Sequence, residues 1–372
     1  MEQLSSQDQL RLNVLLANPF DAVRIDENNM ILYALRGNEE AKVQLSPNCN
    51  HERYLRYVRE LLSGQVLGSP GGYPVYLKRW TRMGQKSDDN LPELLKLGEP
   101  EAVLAVAGAP GLTDELARLV WWTSPTSEMA RHMLERDVVV NGSMGKVLAE
   151  HLYEHLAFET EPLLMIESVR LMLKPGLLDE DRQRKLWDKG RKKRAYLVGF
   201  LRAMPDRLPE LQAARHDYDQ HSNKLATLAA RNRYVALLNK TLSDGGQTFL
   251  QVTETVLQKP YNQDDVVALL NAMRDYLDYG CDNQREQDID SIISECQGQC
   301  EGGRDMELIE ALGELPDLQR ELTALLILGR CGDAVVTPVF ARSDAVGTVM
   351  RKRLAPVTAP IFEQLAVLLG RG

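Results

Sequence analysis

Residues 113–134 read TDELARLVWWTSPTSEMARHML, and this stretch predicts two helices joined by a short connection. Thr113 stands before two acids, which is a polar capping residue followed by acceptors in the first turn. The free N–H groups at the start of a helix need such acceptors. Ser124, followed by Pro125, is a second start signal of the same kind. Helix therefore follows helix here with no strand signal between them.

The same signals recur along the chain from residue 90 onwards. Asn90 precedes Pro92, and Thr160 precedes an acid and a proline. Residues 205–244 carry apolar side chains three and four apart, which predicts one long amphipathic helix or two joined helices. We therefore predict a mainly α protein, an irregular and solenoid-like stack of antiparallel helical hairpins.

The first part of the chain has a different pattern. Short apolar runs separated by Asn, Asp and Gly predict three antiparallel strands over residues 22–25, 30–35 and 41–45, before a helix over residues 51–62. The predicted domains are a small α+β N-terminal domain (1–88), a helical array (89–244) and a C-terminal helical array (245–372).

Composition limits the class of protein. The chain has 372 residues, 44% of them hydrophobic and 26% charged, which predicts a globular protein with a real core. The net charge of -9 argues against a dedicated nucleic-acid binder. Five cysteines, an odd number, favour a reduced intracellular protein. Because the N-terminus lacks a signal-peptide pattern and no apolar run nears about 20 residues, we expect a cytoplasmic protein that does not enter a membrane.

His151 and His155 match the H-x-x-E-H pattern of inverted zinc peptidases. Histidines four apart share a helix face and can both reach one metal ion. That active site also needs a distant third ligand, and none is visible. The alternative is a pair of surface or interface histidines, so we predict no cofactor.

Cys296 and Cys300, with Cys281 upstream, suggest a thiolate metal site or a redox pair. The spacing differs from the C-x-x-C of metal knuckles, and no fourth ligand lies nearby in sequence. The alternative is one or two small buried side chains and a solvent-facing thiol.

A basic cluster with interleaved aromatic residues, Trp187 and Tyr196, forms the best candidate for RNA binding. The same cluster suits an acidic protein surface, or is a solvated helix face. Its members are Lys185, Lys189, Arg191, Lys192, Lys193 and Arg194.

Two further stretches are candidates for binding a protein partner. The first is a Gly-rich loop that lacks the order of a phosphate-binding loop, together with the basic stretch after it. The second is an adjacent pair of tryptophans, one of which can line an interface if the other packs between helices. The candidate residues are Gly68, Pro70, Gly71, Gly72, Tyr73, Lys78, Arg79, Trp80, Arg82, Trp121 and Trp122.

Six stretches together resemble one known family, namely residues 58–64, 68–85, 97–103, 109–116, 158–162 and 196–201. They look like the DsrS proteins, which are encoded with the reverse dissimilatory sulfite reductase system of sulfur-oxidising bacteria. The resemblance covers about the first 205 residues and is most specific at residues 68–85.

The resemblance implies a cytoplasmic accessory protein of sulfur oxidation with no established catalytic residue. We therefore expect a non-catalytic scaffold that binds a protein partner of that pathway. Two alternatives stay open, namely a post-transcriptional regulator that binds RNA through the basic cluster, and a metal- or thiol-dependent sulfur-handling protein.

Overall fold

The computed structural model describes residues 4–68, 90–280, 288–342 and 345–371. It is mainly helical, with one small antiparallel sheet in the N-terminal part of the described chain. The predicted fold class, a stack of helices behind a small α+β cap, is confirmed. The chain divides into two compact units, Met1–His155 (unit 1) and Leu156–Gly372 (unit 2). The three-domain division stays a prediction.

The sheet of unit 1 has the strand order β1–β2–β3, with Leu32 of the middle strand paired to Ile25 and to Val43. Gly37 turns the second hairpin at a φ of 59°, where a residue without Cβ is favoured. The predicted strands are thus confirmed. The elements of unit 1 are α1 (Ser6–Leu16), β1 (Ala22–Asp26), β2 (Ile31–Arg36), β3 (Glu39–Gln44), α2 (His51–Val66), α3 (Leu91–Leu94), α4 (Pro100–Ala107), α5 (Asp114–Thr123), α6 (Ser127–Leu134), α7 (Asp137–Val140) and α8 (Met144–His155).

A buried polar contact joins α1 to α2 under the sheet. The Tyr54 hydroxyl donates to the Asp8 carboxylate at 2.5 Å, and that carboxylate also accepts the backbone N–H of Ser46. Burial, reinforced by Asp8, raises the pKa of Tyr54, so the phenol stays protonated and keeps donating. Apolar side chains close the core around it, namely Leu12, Val23, Met30, Leu32, Ala34, Leu45, Leu55, Val58 and Leu62.

Unit 2 is helical throughout its described part. Residues 156–158, 316–318 and 333–335 form short 3-10 turns. The α-helices are α9 (Pro162–Met172), α10 (Glu180–Gly190), α11 (Arg194–Ala203), α12 (Tyr218–Ala229), α13 (Arg233–Leu242), α14 (Asp244–Gln258), α15 (Gln263–Tyr276), α16 (Ile289–Gly302), α17 (Met306–Glu314), α18 (Gln319–Leu328), α19 (Thr337–Phe340) and α20 (Gly347–Leu368).

The centre of unit 2 depends on a close approach between α9 and α11. A Cβ at Gly199 would lie 2.6 Å from the Cβ of Val169, so a larger residue would force the helices apart. Helix α11 also packs against α14 and α15, which come much later in the chain. This packing between distant helices makes the stack irregular.

The amphipathic pattern over residues 205–244 corresponds to two helices, α12 and α13, and not to one. The helical part begins at Tyr218, because Pro205 and Pro209 lack the N–H that a helix interior uses. Two of the predicted helix starts also need correction by one or two residues. Thr126, not Ser124, caps α6, and Glu161, not Thr160, precedes α9.

Among the residues that the structure describes, no helix combines the length and the apolar character that a membrane crossing requires.

Candidate functional site

The Gly-rich candidate loop lies almost wholly outside the described residues. Gly68 is described, directly after the end of α2, with a φ of 60° that suits glycine. The other candidates of that stretch lie outside the described residues. Their partner-binding role stays a prediction for Pro70, Gly71, Gly72, Tyr73, Lys78, Arg79, Trp80 and Arg82.

Trp122, on α5, packs on the sheet. Its indole N–H donates to the Glu40 carboxylate at 3.1 Å, and the Arg24 guanidinium lies 4.9 Å from the centre of its ring. Arg24 also pairs with Glu40 at 2.9 Å and lies over Tyr33. The indole therefore has a structural task, because it attaches α5 to β1 and β3.

Trp121 points to α8. Its ring meets the ring of His151 edge to face, with 4.8 Å between the centroids. His151 in turn stacks on His155, one turn later, at 3.9 Å and an interplanar angle of 22°. Val147 precedes His151 by four residues on α8 and is 45% exposed, so it extends the same face. We call Trp121, Val147, His151 and His155 the Trp121 patch.

Hydrogen bonds hold the two histidine rings. The Nδ1–H of His155 donates to the backbone carbonyl of His151 at 2.9 Å, and Nε2 of His151 lies 3.3 Å from the Ser127 hydroxyl. Burial, together with the charge of His155, lowers the pKa of His151, although Glu154 opposes the shift. The His151 ring is therefore mostly neutral near pH 7 and presents an aromatic surface.

The stacked arrangement of the two histidine rings argues against the zinc hypothesis. Two ligands of one ion must each aim a nitrogen at a common point, whereas these two rings stack nearly parallel. Within residues 4–68, 90–280, 288–342 and 345–371, no group of three or more His, Cys, Asp or Glu side chains is placed to hold a metal ion.

The cysteines of α16 lie against the α18 region. Cys296 is fully buried with the Arg330 guanidinium 3.9 Å from its sulfur, and the half-buried Cys300 accepts a hydrogen bond from Thr323. Burial raises the pKa of Cys300, and burial with the nearby Cys296 raises the pKa of Cys331 to about 12. A protonated thiol is a poor nucleophile and a poor metal ligand. Cys331 joins this group with no signal in the sequence, since it comes 35 residues after Cys296.

Two members of the basic cluster pair with acids, and a third lies over an aromatic ring. Arg191 bonds to Glu210, Lys185 to Asp181, and the Lys193 ammonium lies 5.6 Å from the Tyr196 ring.

The aromatic residues of this cluster cannot stack on bases in this structure. Trp187 and Tyr196 are only 4% and 3% exposed, and Trp187 packs edge to face on Phe200 inside unit 2. The cluster is thus a set of charges without a stacking platform. Its exposed members are Lys185, Lys189, Arg191, Lys192 and Lys193, with Arg194 half-buried. RNA binding through it stays a prediction.

The structure thus brings two predicted sites together, because Trp121 from one candidate and the pair His151 and His155 from another form one patch. Helical spacing alone indicates that the two histidines are neighbours, but no local signal places Trp121 beside them. Comparisons with protein-family models, with curated proteins and with solved structures find no match for this chain.

Proposed function

We propose that this protein is a DsrS-type accessory protein of bacterial sulfur oxidation, a non-catalytic scaffold that acts in the cytoplasm by binding a protein partner. The resemblance at residues 68–85 supports the pathway. The observation that carries the binding role is the Trp121 patch, in which an ordered indole and two stacked imidazoles share one partly exposed surface.

The physics of interfaces supports this role. Tryptophan is enriched among the residues that dominate binding energy, because it brings a large contact area at a small cost in conformational entropy. The contact with His151 holds the Trp121 ring before any partner arrives, which reduces the ordering cost of association. The largely neutral His151 is also easier to desolvate than a charged imidazolium.

A capture experiment tests the proposal. The full chain, carrying a photo-crosslinker at Val147, is incubated with lysate of a sulfur-oxidising bacterium, and crosslinked proteins are identified by mass spectrometry. We expect proteins of the reverse dissimilatory sulfite reductase system. Trp121→Ala should reduce their recovery at least about tenfold, since loss of a binding hot spot exceeds about 1.4 kcal/mol.

His132→Ala is the matched control, because His132 is exposed on α6 of the same unit and lies outside the patch. It should leave recovery unchanged. If wild type and Trp121→Ala recover the same proteins in equal amounts, or if no pathway protein is recovered, the proposal is wrong.

The RNA alternative has its own test, a gel shift over a salt series with charge reversal at Lys192, Lys193 and Arg194. Binding to phosphates weakens steeply with salt and with loss of cations. A complex that responds to neither excludes this alternative.

A further inference from the structure

Helix α20 has an exposed face that is rich in cations along its first four turns. Residues 346–362 contain no Asp or Glu, whereas Arg351, Lys352 and Arg353 follow one another within this range. Arg351 is half-buried, and its guanidinium donates to the Pro260 carbonyl at 3.5 Å. Lys352 and Arg353 are exposed, so a partner can reach both charges.

Two acids on the neighbouring helices are already paired with other cations. Helix α20 packs against α14 and α18. Glu254 of α14 pairs with Arg371 at 2.8 Å, and Glu321 of α18 pairs with Arg215 at 2.8 Å. These two carboxylates therefore do little to neutralise the exposed face of α20.

The stretch from the end of α14 into α15 carries both signs of charge. Lys259 is exposed and Asp264 is half-buried. Asp265 is only 2% exposed, and its carboxylate accepts the Tyr261 N–H at 3.2 Å. The cations of this stretch and of the first turns of α20 still outnumber its two carboxylates, in contrast to the net charge of -9 of the whole chain.

Apolar and aromatic side chains extend the same surface at the start of α20. Val346 and Val349 are 63% and 54% exposed, and Tyr261 is 76% exposed. Tyr261 lies beside the first turn of the helix, because its carbonyl accepts the Gly347 N–H at 3.3 Å. Exposed apolar and aromatic side chains that adjoin cations are typical of a surface that binds protein.

Two prolines open backbone acceptors on this face. Pro356 is exposed and Pro360 half-exposed, and both lie inside α20. Because proline has no N–H, the carbonyls of Lys352 and Pro356 lack the donor that a helix interior supplies four residues later. The two carbonyls are about 6 Å apart along the axis, since each residue of a helix rises about 1.5 Å. Carbonyls on the solvent side of a helix tilt outward, towards an incoming donor.

The cations and the open carbonyls together select the chemistry of the partner. Carboxylates pair with Lys352 and Arg353, and backbone N–H groups complete the carbonyls. An extended peptide repeats its N–H groups on one side every two residues, or about 6.7 Å, which is close to the spacing of the two carbonyls. A phosphate group offers acceptors only, and a membrane surface would bury the carbonyls without donors, which is costly.

We infer that the exposed face of α20 binds an acidic, extended segment of a protein partner. The segment runs along the helix, and alternate N–H groups donate to the carbonyls of Lys352 and Pro356. Its carboxylates pair with the side chains of Lys352 and Arg353, and one end of the segment covers Val349 and Tyr261. This contact belongs to unit 2 and does not depend on the Trp121 patch.

Fluorescence anisotropy with a defined probe tests the charge requirement. The probe is a fluorescein-labelled peptide of alternating glutamate and threonine, about ten residues long, titrated with the full chain at low salt. We expect saturable binding that weakens about tenfold or more when Lys352→Glu and Arg353→Glu are combined, because both ion pairs become repulsions. A lysine-threonine peptide should bind about tenfold more weakly than the acidic one.

A second variant tests the open carbonyls without changing any charge. Pro356→Ala combined with Pro360→Ala supplies the two missing N–H groups, which close the helix ladder. Binding of the acidic peptide should weaken about fivefold or more, the effect of losing hydrogen bonds of ordinary strength. Attraction between charges alone would leave the affinity of this variant unchanged.

Lys192→Glu combined with Lys193→Glu is the matched control. It makes the same change in net charge, at two exposed residues that follow α10 in the same unit. Binding should stay within about twofold of wild type, because salt screens charges that lie far from the bound peptide. Circular dichroism checks that each variant is folded, and Lys352→Gln with Arg353→Gln replaces the reversal if it is not.

Four outcomes overturn the inference. The first is no saturable binding of the acidic peptide, and the second is full binding by the double proline variant. The third is tighter binding of oligouridylate or of phosphatidylglycerol vesicles that the charge reversal abolishes, since the face then takes phosphate. The fourth is self-association of the wild type, seen by sedimentation, that the charge reversal abolishes, since the occupant is then a second copy.

The results for α20 and for the Trp121 patch are distinguishable. A successful capture at Trp121 with a failed peptide titration retains the proposed function and removes the role of α20. The reverse pair of results does the opposite.

Discussion

Trp121 and Trp122 are neighbours in sequence, and their side chains meet different partners. Trp122 packs under Arg24 and donates to Glu40, whereas Trp121 meets His151 on α8. Successive residues on a helix point about 100° apart, so two adjacent large rings cannot share one environment. One indole consequently stabilises the fold, and the other is the candidate for binding.

Trp122→Ala tests the structural task of its indole. We expect a loss of about 2 kcal/mol in the free energy of unfolding, because a half-buried ring and its hydrogen bond are removed. Urea unfolding followed by circular dichroism measures the loss. Trp122→Phe, which keeps the ring over Arg24, should lose less than half as much. An alanine variant within about 0.5 kcal/mol of wild type would contradict the assignment.

The lowered pKa of His151 predicts a pH dependence of stability. Since the pKa is lower in the folded chain than the value of 6.5 in the unfolded chain, the unfolded state binds the proton more readily. The contribution of His151 is complete above pH 6.5 and is lost as the pH falls below that value towards the folded pKa.

Urea unfolding of His151→Gln at a series of pH values measures this contribution. The variant should show a flatter stability profile below pH 6.5 than wild type. Val138→Gln, at an exposed residue of α7 whose side chain does not titrate, should keep the wild-type slope. Equal slopes in wild type and His151→Gln would show that another group is responsible.

Two described thiols of unit 2, those of Cys300 and Cys331, should react slowly. Near the pKa of a free thiol, about 8.5, iodoacetamide should leave Cys331 unmodified in the folded chain, because its pKa of about 12 keeps it protonated and the protein covers it. Mass spectrometry after digestion measures the modified fraction of each cysteine, with guanidinium-unfolded protein as control. Cys300 should react more slowly than in the unfolded chain. Fast labelling of Cys300 in the folded chain would support the thiol-dependent alternative.

At the level of elements, three residues separate α12 from α13, and the last of them, Asn232, starts α13. Asn232 is only 2% exposed, and its side-chain oxygen accepts the N–H groups of Tyr234 and Val235 at the start of α13. Its side-chain amide donates to the Glu307 carbonyl at 2.7 Å. One residue thus starts a helix and ties it to α17.

Substitutions at Asn232 separate these two tasks. Asn232→Ala should destabilise the protein by about 2 kcal/mol, since the cap is removed and the Glu307 carbonyl is left without its donor. Asn232→Ser keeps a neutral cap acceptor and removes the amide donor, so its effect should fall between those of wild type and alanine. Urea unfolding measures the loss of stability in both variants. If serine is as harmful as alanine, the hydrogen bond to Glu307 carries the whole effect.

At the level of the whole molecule, each unit has its own buried core. In unit 2, Phe249 is fully buried and stacks on Tyr276 with 3.8 Å between the ring centroids. In unit 1, the apolar core packs around Tyr54. Separate cores predict separate responses to damage, because a cavity made in one core leaves the packing of the other core intact.

Phe249→Ala should cost about 3–5 kcal/mol, and its effect should be confined to unit 2. Hydrogen exchange read by mass spectrometry should then show faster exchange in peptides from Leu156–Gly372 and unchanged exchange in Met1–His155. Trp122→Ala should give the opposite pattern. Faster exchange in both units after either substitution would mean that the two cores unfold together.

Local signals in the sequence determined the class of fold and many element boundaries. Thr113 caps α5 as expected, because its hydroxyl accepts the Leu116 N–H three residues later. The alternation of apolar residues around Asp26 and Gly37 likewise predicts the strands and their turns, since both depend on neighbours in the chain. The predicted helix starts at Ser124 and Thr160 were wrong by one or two residues, because a proline or a second capping residue nearby offered an alternative start.

The tertiary structure alone decided which residues form the candidate sites. Trp121 and His151 are 30 residues apart in the chain, and Arg11 and Gln44, which form a hydrogen bond in unit 1, are 33 apart. The burial of Trp187 and Tyr196, which removes the stacking platform from the basic cluster, also depends on packing within unit 2. Capping and alternation depend on near neighbours in the chain. Patches and burial arise when folding brings distant residues together, and a single sequence carries no local mark of that.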